Sequence, residues 1–267
     1  MEEPEVGGRL GRYVLEEILG RGAMGTVYRA VRDDGLVVAL KLAAPELAAD
    51  ETYRRRFERE SRIAASLSHP HIVEVLEVGE VDGRPFLASR LVQGRTLSDR
   101  IAADGPLAEL DVVRVVAELA AALDVLHERE LVHRDVKPAN VILEDGGGAL
   151  LADFGLARGA SDTVLTQTGR VSGTVDYLAP EVIRGAPPSP AVDVYALGCM
   201  AYECLAGQPP FAARSVPDAI LAHLESPPEP LRSPLSQAVL QALAKDPDDR
   251  PPTATAYALM LRVSLPG

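Results

Sequence analysis

The sequence predicts an α+β protein in two parts: a small β-rich N-terminal part with one helix, and a larger, mainly helical C-terminal part. Three observations carry this expectation. Residues 12–90 alternate apolar and polar side chains in short runs broken by glycine-bearing turns, the pattern of strands in hairpins. Beyond residue 96 the apolar positions recur at helical spacing instead. The length, 267 residues, exceeds that of one small domain.

Taken in order, residues 13–19 and 26–31 read as strands flanking a glycine-rich turn, and Asp34-Gly35 signals a hairpin before a strand over 36–42. A helix over 52–67 interrupts them and stops at His69-Pro70, since the residue before a proline avoids helical backbone. Two strands follow, over 73–77 and 85–91, and Gln93-Gly94 reads as a connector. The expected division is therefore 1–89, a connector over 90–95, and 96–267. In the last part Leu110, Val113, Val116, Ala120, Leu123 and Leu126 make one apolar face of a long helix. Residues 191–206 are apolar almost all round and read as the central buried helix. Shorter helices are expected over 216–224, 235–244 and 254–263, with proline pairs marking the loops.

Composition excludes several classes. A net charge of −12 argues against nucleic-acid binding, which needs a basic face, and obliges any site for an anion to gather positive charge locally. The longest apolar stretch, 112–126, is broken by Arg114, Glu118 and Asp124, so no membrane span is expected in this chain. The acidic start, Met1-Glu2-Glu3-Pro4-Glu5, does not read as a signal peptide. Cys199 and Cys204 read as buried small hydrophobes, which suits a reducing cytoplasm. Lysine is rare: only Lys41, Lys137 and Lys245 occur in a chain that otherwise uses arginine. Two of the three fall inside the motifs below, where a compact, mobile charge has a use.

The chemistry concentrates in His133-Arg134-Asp135-Val136-Lys137-Pro138-Ala139-Asn140, followed thirteen residues after Asn140 by Asp153-Phe154-Gly155. This places two carboxylates and a carboxamide around one short hairpin. Such a set can hold Mg²⁺ and orient a hydroxyl nucleophile beside a nucleoside triphosphate. Asp135 can accept or orient the nucleophile's proton, Lys137 can neutralise charge on the transferring phosphate, and Asn140 and Asp153 offer oxygen to a hard cation. His133 reads as a hydrogen-bonded scaffold residue. Upstream, Gly20, Gly22 and Gly25 lie in a turn between strands, where backbone N–H groups can approach phosphate oxygens closely. Alone this is a weak signal, because glycine-rich hairpins are common. Ala39 and Lys41 share a strand face, so a flat base fits beside the small residue while the ammonium reaches phosphates; a plain surface lysine is the alternative. Glu60 is the expected partner of Lys41, with a pairing to Arg56 on its own helix as the competing reading.

With these motifs in hand, the chain resembles the protein kinases of the serine/threonine class over essentially its whole length. The order is complete: glycine turn, Lys41, Glu60, His133-Arg134-Asp135, Asp153-Phe154-Gly155, Ala179-Pro180-Glu181, with Asp193 and Arg250 as distal anchors and Arg250 the expected partner of Glu181. It is most similar to receptor-type bacterial kinases of actinobacteria. The resemblance implies a two-lobed protein kinase fold with an N-lobe (1–89), a hinge (90–95) and a C-lobe (96–267). It implies ATP and Mg²⁺ as nucleotide and metal, and protein substrates with Ser or Thr acceptors. Lys41, Glu60, Asp135 and Lys137 become catalytic and Asn140 and Asp153 metal ligands. The nucleotide would be held by Leu19, Gly20, Gly22, Gly25, Val27, Ala39, Lys41, Ser89, Leu91 and Ile142. Thr166 and Thr168 match the activation-loop phosphorylation site, Thr174 with Lys137 the serine/threonine pattern, and Arg134 the cation that would pair with a phosphorylated loop. Ser89 falls where the family carries a larger gatekeeper, and Arg90 replaces a common acidic residue. A cytoplasmic location follows, either free or as the cytoplasmic domain of a membrane receptor kinase, and an N-lobe homodimer stays open. A catalytically silent scaffold and a small-molecule phosphotransferase are the weaker alternatives: no catalytic residue is lost, and Thr174 with Ala179-Pro180-Glu181 shapes a peptide-docking surface in the family.

Overall fold

The computed structural model describes residues 3–153, 175–213 and 215–266, in two compact units, Met1–Gln93 and Gly94–Gly267. The N-terminal unit is built on an antiparallel sheet of six strands: β1 (Arg9–Leu10), β2 (Tyr13–Gly22), β3 (Gly25–Arg32), β4 (Val37–Ala43), β5 (Val75–Val81) and β6 (Arg84–Arg90), in the order β1-β2-β3-β4-β6-β5. Successive strand residues face opposite ways. Tyr13, Leu15, Tyr28, Ala30, Val38, Leu40, Leu42, Phe86 and Ala88 fill one face as a closed core. The other face therefore carries Val27, Ala39, Lys41 and Ser89, all only half-buried. Register brings them together: Val27 lies opposite Lys41, and Ala39 opposite Ser89.

Helix α1 (Pro45–Ala48) is a single turn begun by a proline, and α2 (Glu51–Ala65) follows it. Asp50 starts α2 by accepting the Thr52 and Tyr53 N–H groups at 2.7 and 3.2 Å, which satisfies two donors that helical bonding leaves open. Tyr53, Phe57, Glu60 and Ala64 form its buried stripe, turned toward β5 and β6. The helix expected over 52–67 thus begins one residue earlier and ends two earlier.

The C-terminal unit opens with β7 (Gly94–Thr96), which begins in the stretch read as a connector and runs one residue past it, and α3 (Leu97–Asp104), which was not expected. Thr96 caps α3 through its hydroxyl, which accepts the Asp99 N–H at 3.0 Å. Strand β8 (Val141–Glu144) pairs with β7 on one side and with β9 (Ala149–Leu151) on the other, in a three-stranded sheet. Among the described residues the α-helices that follow α3 are α4 (Glu109–His127), α5 (Pro180–Ile183), α6 (Pro190–Ala206), α7 (Val216–Glu225), α8 (Ser236–Ala242) and α9 (Ala254–Ser264). From Val192 to Cys204 every residue of α6 except Glu203 is buried, with α4, α8 and α9 packed around it. Burial pushes the Cys199 and Cys204 thiols up, so both remain protonated hydrophobes. The long helix needs one correction. Leu110 is 72% exposed, whereas Val112, Val115, Leu119 and Ala122 join the buried set. Flanked by α6, α9 and β9, α4 buries a wider face than the single stripe that its first residues suggested.

Candidate active site

The sheet of the C-terminal unit places the acidic motif. A one-turn helix, Pro138–Asn140, leads into β8, and the Ala152 N–H donates to the Asn140 carbonyl at 2.9 Å. The β8–β9 pairing, Val141 opposite Leu151, thereby sets Asp153 one residue beyond the backbone tie to Asn140. Asn140 is buried, and its amide nitrogen donates to both the Asp135 carbonyl and Asp135 Oδ2, each at 2.8 Å. Lys137 Nζ donates to the same Oδ2 at 2.9 Å. With one oxygen held by two donors, the orientation of the Asp135 carboxylate is fixed, and the lysine supplies a charge-assisted bond.

The turn before it is held from α6. Asp193, fully buried, accepts the His133 N–H at Oδ2 and the Arg134 N–H at Oδ1, both at 2.8 Å, and contacts His127 Nε2 at 2.8 Å. Arg134 and Asp153 have left-handed backbone, φ of 66° and 56°, a conformation that costs an L-residue about 1–2 kcal/mol. The two ties from Asp193 to this turn offset that cost at Arg134. Burial lowers the His133 pKa and keeps the imidazole neutral, which suits a scaffold and not a proton carrier.

The donor chemistry fits Mg²⁺. Both amide hydrogen bonds of Asn140 go to Asp135, so the group it presents is a neutral carbonyl oxygen, and Asp153 adds a carboxylate. One or two such oxygens, completed by phosphate, is the usual protein share of a magnesium site.

In the N-terminal unit the glycines differ in kind. A Cβ added at Gly20 or Gly22 would meet no atom within 4 Å, whereas at Gly25, with φ of 139°, it would lie 2.0 Å from the Leu42 carbonyl oxygen. Gly25 is thus demanded by the close approach of β3 and β4. Among the described residues nothing in the unit demands the other two, and the space above them suits a ligand that approaches the backbone. Lys41 lies on β4 beside Val27 of β3, and Ala39 accepts at its carbonyl from Ser89 Oγ at 3.4 Å. Glu60 is buried on α2 at 8% exposure, where a carboxylate requires a polar or charged partner. Leu19 is 45% exposed on β2, and Leu91 and Ile142 are half-buried.

Sequence reasoning missed Arg84. This buried guanidinium donates twice to the Ala43 carbonyl, at 3.0 and 2.6 Å, and so pins the end of β4 two residues beyond Lys41. A lone arginine at a strand start gives no sign of such a role. Thr166, Thr168 and Thr174, with Phe154 and Gly155, lie outside the described residues.

A distal anchor is explicit. Arg250, 4% exposed, forks onto Glu181 through two bonds of 2.7 Å, donates to the Ala244 and Ala191 carbonyls at 2.8 and 2.9 Å, and stacks over Tyr195 at 4.7 Å. It joins the Ala179-Pro180-Glu181 turn to α6 and to the loop after α8.

Comparison with known proteins agrees with this geometry. The model of the protein kinase domain matches residues 13–259. The serine/threonine-protein kinase PknD of Mycobacterium tuberculosis is 42% identical over 256 residues, covering 92% of this chain and 39% of that protein. PknB of Mycolicibacterium smegmatis is 40% identical over 258 residues, covering 91% and 41%. The crystal structure of the Mycobacterium tuberculosis PknI kinase domain superposes with a TM-score of 0.79 at 33% identity, over 98% of this chain and 99% of that one. The chain belongs to the protein kinase domain family, with the protein kinase fold, and its class is that of the serine/threonine protein kinases. It spans about two-fifths of the length of these two curated relatives.

Proposed function

We propose that this chain catalyses transfer of the γ-phosphoryl group of ATP to Ser or Thr hydroxyls of protein substrates. The observation that carries the reading is the Asp135 carboxylate, locked by Lys137 and Asn140 beside the hairpin that carries Asp153. Asp135 receives or orients the hydroxyl proton of the acceptor, and Lys137 balances charge on the phosphoryl group in flight. Gly20, Gly22 and Gly25 offer backbone N–H groups to the phosphates and Lys41 an ammonium, itself oriented by Glu60. Asn140 and Asp153 would hold Mg²⁺, which would supply charge neutralisation on the phosphates. Leu19, Val27, Ala39, Ser89, Leu91 and Ile142 take the adenine, with Ser89 leaving more room than a bulky gatekeeper.

The reading divides the chain into an N-lobe, 1–89, a hinge, 90–95, and a C-lobe, 96–267. Support for a cytoplasmic location, free or as the cytoplasmic domain of a receptor, comes from the receptor-type resemblance; among the described residues no helix is long and apolar enough to cross a membrane. Pairing through the N-lobe is the assembly to examine first.

The test is phosphate gain, followed by mass spectrometry, on the protein itself and on a generic Ser/Thr acceptor with Mg-ATP. Asp135→Asn is expected to lower transfer about 10²–10⁴-fold, and Lys41→Met and Asp153→Asn to abolish it, while circular dichroism stays that of the wild type. Unchanged transfer in Asp135→Asn, or unfolding of the other two variants, refutes the assignment.

A further inference from the structure

Residues 3–8 precede β1 and run back over the glycine hairpin. Two backbone bonds fasten them to β2: the Gly7 N–H donates to the Leu15 carbonyl at 2.7 Å, and the Leu15 N–H donates to the Gly8 carbonyl at 3.0 Å. The Tyr28 hydroxyl of β3 donates to the Pro4 carbonyl at 3.1 Å. The segment ends on the turn itself. Arg21 Nη1 donates to Glu3 Oε2 at 2.8 Å, and the Thr26 hydroxyl donates to Glu3 Oε1.

Arg21 and Thr26 are direct cross-strand partners, the last pair before Gly22 and Gly25 close the hairpin. A single carboxylate therefore bridges the entering and the leaving strand, one oxygen to each. The two bonds differ in worth. The ion pair is exposed, at 60% and 36%, and contributes little by itself. Thr26 is 2% exposed, so its bond to a carboxylate is charge-assisted and sheltered from competing water. Thr26 lies on the core face, opposite Val27. Glu3 consequently acts from behind the hairpin and does not touch a ligand held by the glycine N–H groups.

A turn with glycine at positions 20 and 22 has wide backbone freedom, and a ligand that uses its N–H groups must order it on binding. We propose that Glu3 is a positioning residue for nucleotide binding: by bridging Arg21 and Thr26 it holds the glycine turn in the form that receives the ATP phosphates. This rests on the kinase reading above.

The test measures the dissociation constant of Mg-ATP by calorimetry, and KM for ATP against kcat, on the full chain. Glu3→Gln and Glu3→Ala are expected to raise both Kd and KM about three- to tenfold, with kcat within about twofold. Amide hydrogen exchange should quicken at residues 20–26 and stay unchanged in α4. Thr26→Val should reproduce the effect, and the double variant with Glu3→Ala should add nothing to it. Unchanged Kd in Glu3→Ala, or a uniform rise in exchange with a lower Tm, overturns the proposal by reducing Glu3 to a stabilising contact. Because Kd is read without turnover, a wild type that binds Mg-ATP but transfers no phosphate sinks the kinase reading while Glu3 is still judged.

Discussion

The glycines of the phosphate turn show how one residue type serves two ends within six positions. Gly25 was read with Gly20 and Gly22 as a ligand contact; its Cβ would also meet the Leu42 carbonyl at 2.0 Å with φ at 139°, so the fold requires glycine there whether or not its N–H serves a ligand. Gly25→Ala should cost about 1–3 kcal/mol for the backbone strain, before the clash is counted, and should lower Tm measurably in a thermal melt. Gly20→Ala and Gly22→Ala meet no neighbour. They should leave Tm unchanged or slightly raised, because a side chain narrows the unfolded ensemble. Their effect should fall on the nucleotide, as a rise in KM for ATP of about tenfold, roughly 1.4 kcal/mol of lost phosphate contact. If Gly20→Ala melted the protein instead, the open space above it would have no link to a ligand. The sequence offered three like glycines, and only the distance between two strands separates them.

At the scale of elements, α6 is where distant motifs meet. Its Asp193 ties the His133 turn, and its Tyr195 receives Arg250 and contacts His223 Nδ1 of α7 at 2.8 Å. Arg250→Ala would leave Glu181 without the fork that holds it and remove a donor from the Ala191, Ala244 and Lys245 carbonyls. The expected loss is about 3–5 kcal/mol, read as a shift in urea midpoint. Arg250→Lys should recover only part of it, since one ammonium cannot reproduce a planar fork. His223, fully buried, carries a pH prediction. Burial first, then the charge of Lys245, holds its pKa down at about 4 against the ordinary 6.5. Between those values the unfolded chain binds a proton that the folded chain refuses. The contribution of His223 to stability is therefore whole above pH 6.5 and is lost as pH drops toward 4, by about 3 kcal/mol. Tm against pH should show this acid limb, and His223→Gln should flatten it in part, leaving the share of His133, whose pKa burial also lowers. An unaltered limb in the variant would place the proton uptake elsewhere.

Over the whole molecule, legibility followed length and contiguity. The two units, the long helices and the order of motifs could be read because periodicity over ten or more residues, or eight residues in a row, survives without coordinates. Strands of three or four residues such as β7 and β9 have too few alternations to register, and α3, which begins two residues past the expected connector, spans only eight residues. The Glu3 bridge was invisible for a different reason: it joins an acidic leader to a turn eighteen residues on, and no local pattern announces such a contact. Regulation is the part that sequence alone carries, since Thr166 and Thr168 lie outside the described residues. Under the proposed reading Arg134 supplies its physical basis: its backbone is fixed by Asp193 immediately before Asp135, and its guanidinium is the cation that a phosphate of charge near −2 on either threonine would pair with. Thr166→Ala with Thr168→Ala should then lower kcat on the order of tenfold, the worth of one charge-assisted contact, and leave the Kd of Mg-ATP within about twofold. Phosphosite mapping of the wild type after incubation with Mg-ATP should find phosphate on one or both threonines. Full activity in the double variant would show that loop phosphorylation does not govern this site.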